Sequence, residues 1–161
     1  MKRRLEVIIE HCNEFHLDPL KAFQLPEEQA KFTALPIEIL EEAQATSSQY
    51  PIVILAEGSP VGFFVLHDDV LLEEHSDNDR ALLLMAFSIN EKEQGKGIAT
   101  KAMEEVQSFV GQAFPGKNEI VLGVNHKNMA AQHVYRKAGF HDTGRRKMGR
   151  NGEIFIFSVD L

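Results

Sequence analysis

Residues Ala81 to Ile89, Ala-Leu-Leu-Leu-Met-Ala-Phe-Ser-Ile, are apolar at both parities. As a strand, such a run must be covered on both faces, so it belongs in the interior of a sheet with helices packed on either side. It leads through a turn containing Gly95 and Gly97 into Ile98, Ala102, Met103, Val106, Phe109 and Val110, spaced three to four residues apart. That spacing predicts a helix of about four turns, stopped by Pro115-Gly116. This strand, turn and helix form the frame to which the other segments attach.

Leu5, Val7 and Ile9 alternate with Arg4, Glu6 and Glu10, which reads as a half-buried strand over Arg3 to Cys12. Asp18-Pro19 and Pro36 open two short helices within residues 19 to 46. Ile52 to Ala56 and Val61 to Leu66 form a hairpin across Glu57-Gly58-Ser59-Pro60. Then come a buried strand, Ile120 to Val124, a helix from Asn128 to Ala138 ended by Gly139, and two strands around Arg150-Asn151-Gly152-Glu153. The segments Thr46 to Pro51 and His67 to Asp79 read as loosely composed. The order β-α-α-β-β-β-α-β-α-β-β predicts an α/β domain spanning residues 1–161, with helices flanking a mixed, twisted sheet of about seven strands.

Composition narrows the partners. Seventeen Lys and Arg against 24 Asp and Glu leave a net charge of -7, which argues against nucleic acid and anionic membranes. No run has the length of a membrane span, and Glu6 and Glu10 interrupt the apolar start, so no signal peptide is expected. A single cysteine, Cys12, forms no internal disulfide and fits a reducing cytoplasm. The seven histidines include no pair at helical ligand spacing, so no metal is expected.

Two segments carry candidate chemistry. Asn90 to Thr100 is a glycine-containing turn entering a helix N-terminus, where free N–H groups and the macrodipole favour an anion. By itself it reads equally as a plain connection. It is no Walker A motif, because Ile98 follows Gly97 where that motif needs a Lys, and no dinucleotide fingerprint, because Thr100 stands where a third Gly belongs. In the second segment Asn128 and Tyr135 lie about 20° apart on one helix face and roughly 10 Å along its axis, with small Ala131 between them. Taken alone, that pattern also describes an N-cap and a core tyrosine.

Together, Gln94-Gly-Lys-Gly97-Ile-Ala99 and the series Asn128, Ala130-Ala131, Tyr135, Gly139-Phe140 resemble the GCN5-related N-acetyltransferase (GNAT) superfamily, over about residues 50 to 161. The resemblance implies acetyl-CoA as co-substrate. Its pyrophosphate would be held by backbone amides of Gln94, Gly95, Lys96, Gly97, Ile98, Ala99 and Thr100, and its pantetheine by Phe87, Ser88, Ile89, Asn128 and Ala131, between two central strands that splay apart. Gly123 suits a bend or close approach there, or tight helix packing.

The implied reaction is direct attack by an amine on the thioester, with Tyr135 as the general acid that protonates the departing thiolate. The family's usual Glu or His on the strand before the turn is missing. Leu83, Met85 and Phe87 fall on one parity and Leu82, Leu84, Ala86 and Ser88 on the other. The loop residues Glu91 and Glu93, and His126, Glu73, Glu74 or a held water, are left as candidate bases, and none is assigned. That absence also sustains a rival reading, a non-catalytic acyl-CoA-binding or regulatory protein on the same fold; a nucleotide-binding module is a second rival. The acceptor is expected to be a small-molecule or peptide amine, walled by Phe15, Phe23 and Phe32 if these are not core. The stretch Glu57 to Glu93 carries net -7 and would favour a polycationic amine, or is simply solvated. Arg136 to Arg150 holds six basic residues against Asp142 alone, either as a solvated hairpin or as counter-charge to phosphate. The assembly is expected to be a monomer or homodimer.

Overall fold

In the computed structural model, which describes residues 6–161, the alternating segments pair into one mixed sheet. Its strands are β1 (Val7–His11), β2 (Gln49–Ala56), β3 (Ser59–His67), β4 (Ala81–Ile89), β5 (Glu119–Asn125), β6 (His141–Gly149) and β7 (Gly152–Asp160). They lie in the order β1-β2-β3-β4-β5-β7-β6. Only β4 and β5 run parallel, joined by a crossover helix, while every other pair is antiparallel. Residues 3–5 of the expected first strand lie outside the described residues.

The crossover is α5 (Ile98–Ala113), which packs Ile98, Ala102, Met103, Val106 and Val110 on the sheet beside α6 (Met129–Lys137). Leu82 and Leu84 of β4 and Leu122 and Val124 of β5 meet them on that face. The opposite face is covered in two parts. Under β2 and β3, Leu20 of α1 (Leu17–Lys21), Phe23, and Leu40 and Ala43 of α3 (Pro36–Ala45) bury Val53, Leu55, Phe63 and Val65. Under β4, β5 and β7, Leu71 and Leu72 of a short α4 (Val70–Glu73) meet Ala81, Leu83, Val121 and Ile156. The interior strand expected at Ala81–Ile89 is therefore covered on both faces.

Some local expectations shift. Four helical pieces, not two, fill the region before β2: a 3-10 turn at Glu14–His16, α1, α2 (Glu27–Ala30) and α3. Pro19 is interior to α1 because the helical path starts earlier, where the Phe15 amide donates to Asn13 Oδ1 (2.9 Å) and the Asn13 amide to His16 Nδ1 (3.1 Å). Pro60 belongs to β3, and the first hairpin reverses at Glu57 and Gly58, both at positive φ. The last hairpin turns at Arg150-Asn151, with Gly149 opposite Gly152. There long-range bonds override the local Asn-Gly preference: Asn125 Nδ2 donates to the Asn151 carbonyl (3.1 Å) and Asn151 Nδ2 to that of Lys31 (2.6 Å). The segment from His67 to Asp79, read as loose, contains α4, begun when the Leu71 amide donates to Asp69 Oδ1 (3.1 Å).

Two features of β4 create a site. Its pairing with β5 runs only from Ala81↔Glu119 to Leu84↔Leu122; beyond that point β4 follows β3 and β5 follows β7. Just past the parting, Phe63↔Ser88 and Val65↔Met85 set three steps of β4 against two of β3, a bulge in which Ala86 takes a φ of 59°. The bulge reverses the alternation, so Phe87 does not share a face with Leu83 and Met85, as strict parity had it. It turns to the α5–α6 side, with its ring centroid 6.3 Å from that of Tyr135.

The left-handed backbone at Ala86 costs about 1–2 kcal/mol, and a glycine there would lose about 0.5–1 kcal/mol to its greater unfolded-state freedom. Ala86→Gly is therefore expected to stabilise the protein by about 0.5–1 kcal/mol in urea denaturation. Destabilisation would mean that Ala86 sits in ordinary strand geometry.

Candidate active site

The parting of β4 from β5 opens a cavity of about 690 Å³. Met85 to Ile89 form one wall and Gly123 to Asn125 the other. The turn before α5 contributes Gln94, Gly95, Gly97, Ile98, Ala99 and Thr100, while α6 and its cap contribute Asn128, Ala131 and Tyr135. The proposed binding residues are thus gathered into one space, with one exception. Lys96 is absent from the wall, because its ammonium turns outward to Glu93 Oε2 (2.9 Å).

Gly95 and Gly97, with φ of 79° and 80°, turn the chain into α5 beside the cavity, which both residues line. Among the described residues, the N–H groups of Gly95 through Thr100 donate to no protein acceptor; the first helical bond is from the Lys101 amide to the Gly97 carbonyl (3.2 Å). Such a row of free donors at the start of a sixteen-residue helix is an arrangement that can hold an anion. Gln94 braces it. Its Nε2 donates to the Ile89 carbonyl (2.8 Å) and to Gln29 Oε1 (2.8 Å), and Gln29 Nε2 donates back to Gln94 Oε1 (2.9 Å). Gln29, a residue with no motif around it in the sequence, thereby ties α2 to the turn.

Asn128 caps α6 by accepting from the Ala131 amide (3.2 Å). Tyr135 is buried, and burial pushes its phenol well above the ordinary value. It holds its proton throughout the neutral range, as a proton donor must. Two buried hydroxyls on the wall, Ser88 Oγ and Thr33 Oγ1, have no hydrogen-bond partner. Buried polar atoms are nearly always satisfied, so this pair fits a polar ligand filling the space.

The other end of the cavity is lined by Leu25, Phe32, Leu71, Met85, His75 and Ile154. Phe32 is the one expected aromatic wall to arrive there; Phe23 is buried in the core under β2 and β3, and Phe15 is 82% exposed at the surface. The candidate bases fare unevenly. Glu91, Glu73 and His126 do not line the cavity, Glu93 does but is paired with Lys96, and Glu74 Oε2 accepts from Lys147 Nζ at 2.7 Å. Asp68, Asp69, Glu73, Asp77 and Asp79 gather instead around a separate depression. The basic stretch from Arg136 to Arg150 is likewise engaged, with Arg145 and Arg146 of β6 beside Asp77 (3.4 Å) and Asp142 (2.8 Å) and Arg136 of α6 over the Phe157 ring. His75, on the segment read as a loose loop, was not among the sequence candidates.

Comparison with known proteins agrees with this geometry. Residues 12–140 match the Acetyltransferase (GNAT) family. The chain is 45% identical over 142 residues to the uncharacterized N-acetyltransferase YbbJ of Bacillus subtilis (strain 168), covering 88% of this chain and 89% of that one. Its fold is similar to that of aminoglycoside acetyltransferase AAC(6')-Ib, solved with coenzyme A and kanamycin (TM-score 0.75, 20% identity, 96% of this chain and 95% of that one). It is also similar to spermidine N-acetyltransferase from Vibrio cholerae, solved with CoA and spermine (TM-score 0.70, 14% identity, 96% and 95%). No helix among the described residues is long and apolar enough to cross a membrane.

Gly123 has no room for a side chain. A Cβ there would stand 2.8 Å from Ile154 Cγ2, on a stiff β-branched side chain, and 3.5 Å from His75 Nε2. Gly123→Ala is expected to cost about 1–3 kcal/mol in chemical denaturation, as overpacking does. A neutral effect would show that this wall has room to spare.

Proposed function

The chain belongs to the acetyltransferase (GNAT) family, and we propose that it moves an acetyl group from acetyl-CoA to a primary amine of a small molecule or peptide. The observation that carries this reading is the run of free amides from Gly95 to Thr100 opening into the gap between β4 and β5. The amides suit a pyrophosphate, the unpaired edges of the parted strands suit the amide groups of a pantetheine arm, and the orphaned Ser88 hydroxyl lies along the same path. Asn128 and Ala131 line that path from α6. When bound, acetyl-CoA supplies an activated acyl carbon and a thiolate leaving group.

Tyr135 is the general acid in this account. Tyr135 lines the cavity and its phenol is protonated at neutral pH, so a proton is at hand for a departing sulfur. The acceptor amine enters from the end lined by Phe32, Leu71 and Met85. A polycationic acceptor would be drawn mainly by long-range attraction, because Glu93 is the one carboxylate of the acidic stretch on the cavity wall and Lys96 offsets it.

Four outcomes are expected. Acetyl-CoA at about a hundred times its Kd should raise Tm by roughly 5–10 °C, and equal concentrations of ATP or NAD should do much less; an ATP or NAD response equal to that of acetyl-CoA would favour a nucleotide-binding module. Gly97→Asp, which places a strained residue and a carboxylate at the free amides, should stay folded by circular dichroism and lose that response. Thiol release should appear with at least one acceptor among spermine, kanamycin, amino acids and lysine peptides. With that acceptor Tyr135→Phe should lower kcat about a hundredfold while leaving acetyl-CoA affinity nearly intact. Binding with no thiol release from any acceptor would support the non-catalytic reading instead.

A further inference from the structure

We propose that His75, four residues beyond Leu71 and outside the two motifs that carry the family resemblance, is the general base that takes the proton from the attacking amine. This rests on the acetyltransferase reading of the cavity. The residue is buried, 6% exposed, yet its ring lines the cavity. Its Nδ1 lies 2.8 Å from the Leu71 carbonyl, an acceptor only, so Nδ1 carries the hydrogen and the neutral ring presents an unprotonated Nε2. Among the described residues Nε2 has no hydrogen-bond partner, and it points to Gly123, the first residue of β5 beyond its pairing with β4. The absent side chain at Gly123 is what leaves that nitrogen facing the gap.

The two proton-handling groups then sit on opposite faces of the sheet. Tyr135 packs with Leu82, Leu84, Leu122 and Val124 on the α5–α6 face, where the free amides lie. His75 stands at the Met85, Leu71 and Ile154 end, on the other face. A thioester lying in the gap between the strands would present its sulfur to one face and its carbonyl carbon to an amine approaching from the other.

Burial holds the His75 imidazole below its ordinary value of about 6.5; the bond to Leu71 and the charge of Glu74 oppose that, while Lys147 and Arg145 of β6 reinforce it. Met85, Gly123 and Ile154, which line the cavity with it from β4, β5 and β7, carry no charge. The ring is therefore neutral at pH 7 and able to accept. The chemistry balances as follows. An alkylammonium nitrogen loses two protons on becoming an amide. His75 takes the first and releases it to solvent, the nitrogen lone pair forms the C–N bond, and the C–S bonding pair leaves with sulfur. Tyr135 protonates the sulfur and is reprotonated through water by the second proton from nitrogen.

The test is the pH dependence of kcat/KM for thiol release, with the best acceptor of the panel, in wild type and His75→Gln. With His75 as base, the wild-type profile should be flat from near pH 7 to the amine's own pKa and fall on an acid limb below about 6.5. In His75→Gln only amine that is already neutral can react, so the profile should climb tenfold per pH unit through this range. At pH 7.5 the loss should be a hundredfold or more, and much smaller with trifluoroethylamine, which is already neutral. A merely structural His75 would lower the rate equally at every pH and for both amines, and that outcome overturns the proposal. Independently of turnover, a long-range 1H–15N spectrum at pH 7.5 should show His75 neutral with its hydrogen on Nδ1; the Nε2–H tautomer or an imidazolium overturns it as well. Failure of acetyl-CoA to bind wild type would instead refute the acetyltransferase reading, so the two failures are distinguishable.

Discussion

Everything at the site depends on β4 and β5 parting after Leu84 and Leu122. Buried backbone N–H and C=O groups are nearly always paired, and a parallel pair in the middle of a sheet would ordinarily stay paired to its end. Here each strand keeps its outer neighbour and releases its inner one, so unpaired main-chain groups face a gap in the protein interior. The apolar packing on both faces, from Leu82 and Leu84 on one side to Leu83 and Val121 on the other, holds the strands together below the parting and gives the gap a fixed base. Ala86, in its bulge, stands on one side of the gap, and on the other stands Gly123, where a side chain would meet Ile154.

The same parting sorts the chemistry by face. The α5–α6 side has the helix N-terminus and Tyr135, whose proton is retained by burial; the α4 side has His75, whose neutrality is imposed by burial. Desolvation acts on both in the same sense, against the charged form, so the phenol stays protonated and the imidazole stays neutral. Charge pairing closes the rim. Lys147 reaches Glu74 across from β6, Lys96 is held by Glu93, and the acidic residues of the segment before β4 mostly face elsewhere.

Much of the fold was legible because its periodic signals are long. The nine residues of β4, all but Ser88 apolar, and the sixteen-residue helix α5 fall where the pattern put them, as do Asn128 at the cap of α6 and Gly139 just past its end, at a φ of 100°. The illegible parts share a cause: short or non-local determinants. Nothing in Met85-Ala86-Phe87 announces a bulge, yet it carries Phe87 to the opposite face. The four residues of α4 are too few to show a period within an acidic stretch, so His75 went unseen. Gln29 and Thr33 reach the site only through contacts with residues far along the chain or through the cavity itself. The residues of the glycine turn could be named from sequence, but that Lys96 points away from the cavity could not.

The free amides from Gly95 to Thr100 are the donors to which a phosphorylated ligand would bind in the proposed function. Amide hydrogen exchange resolved residue by residue, with and without acetyl-CoA, tests that role most directly. The account predicts strong protection of Gly95 through Thr100 on adding acetyl-CoA, with lesser protection along Phe87 to Ile89. Exchange in the turn that is unchanged at saturating acetyl-CoA would contradict it.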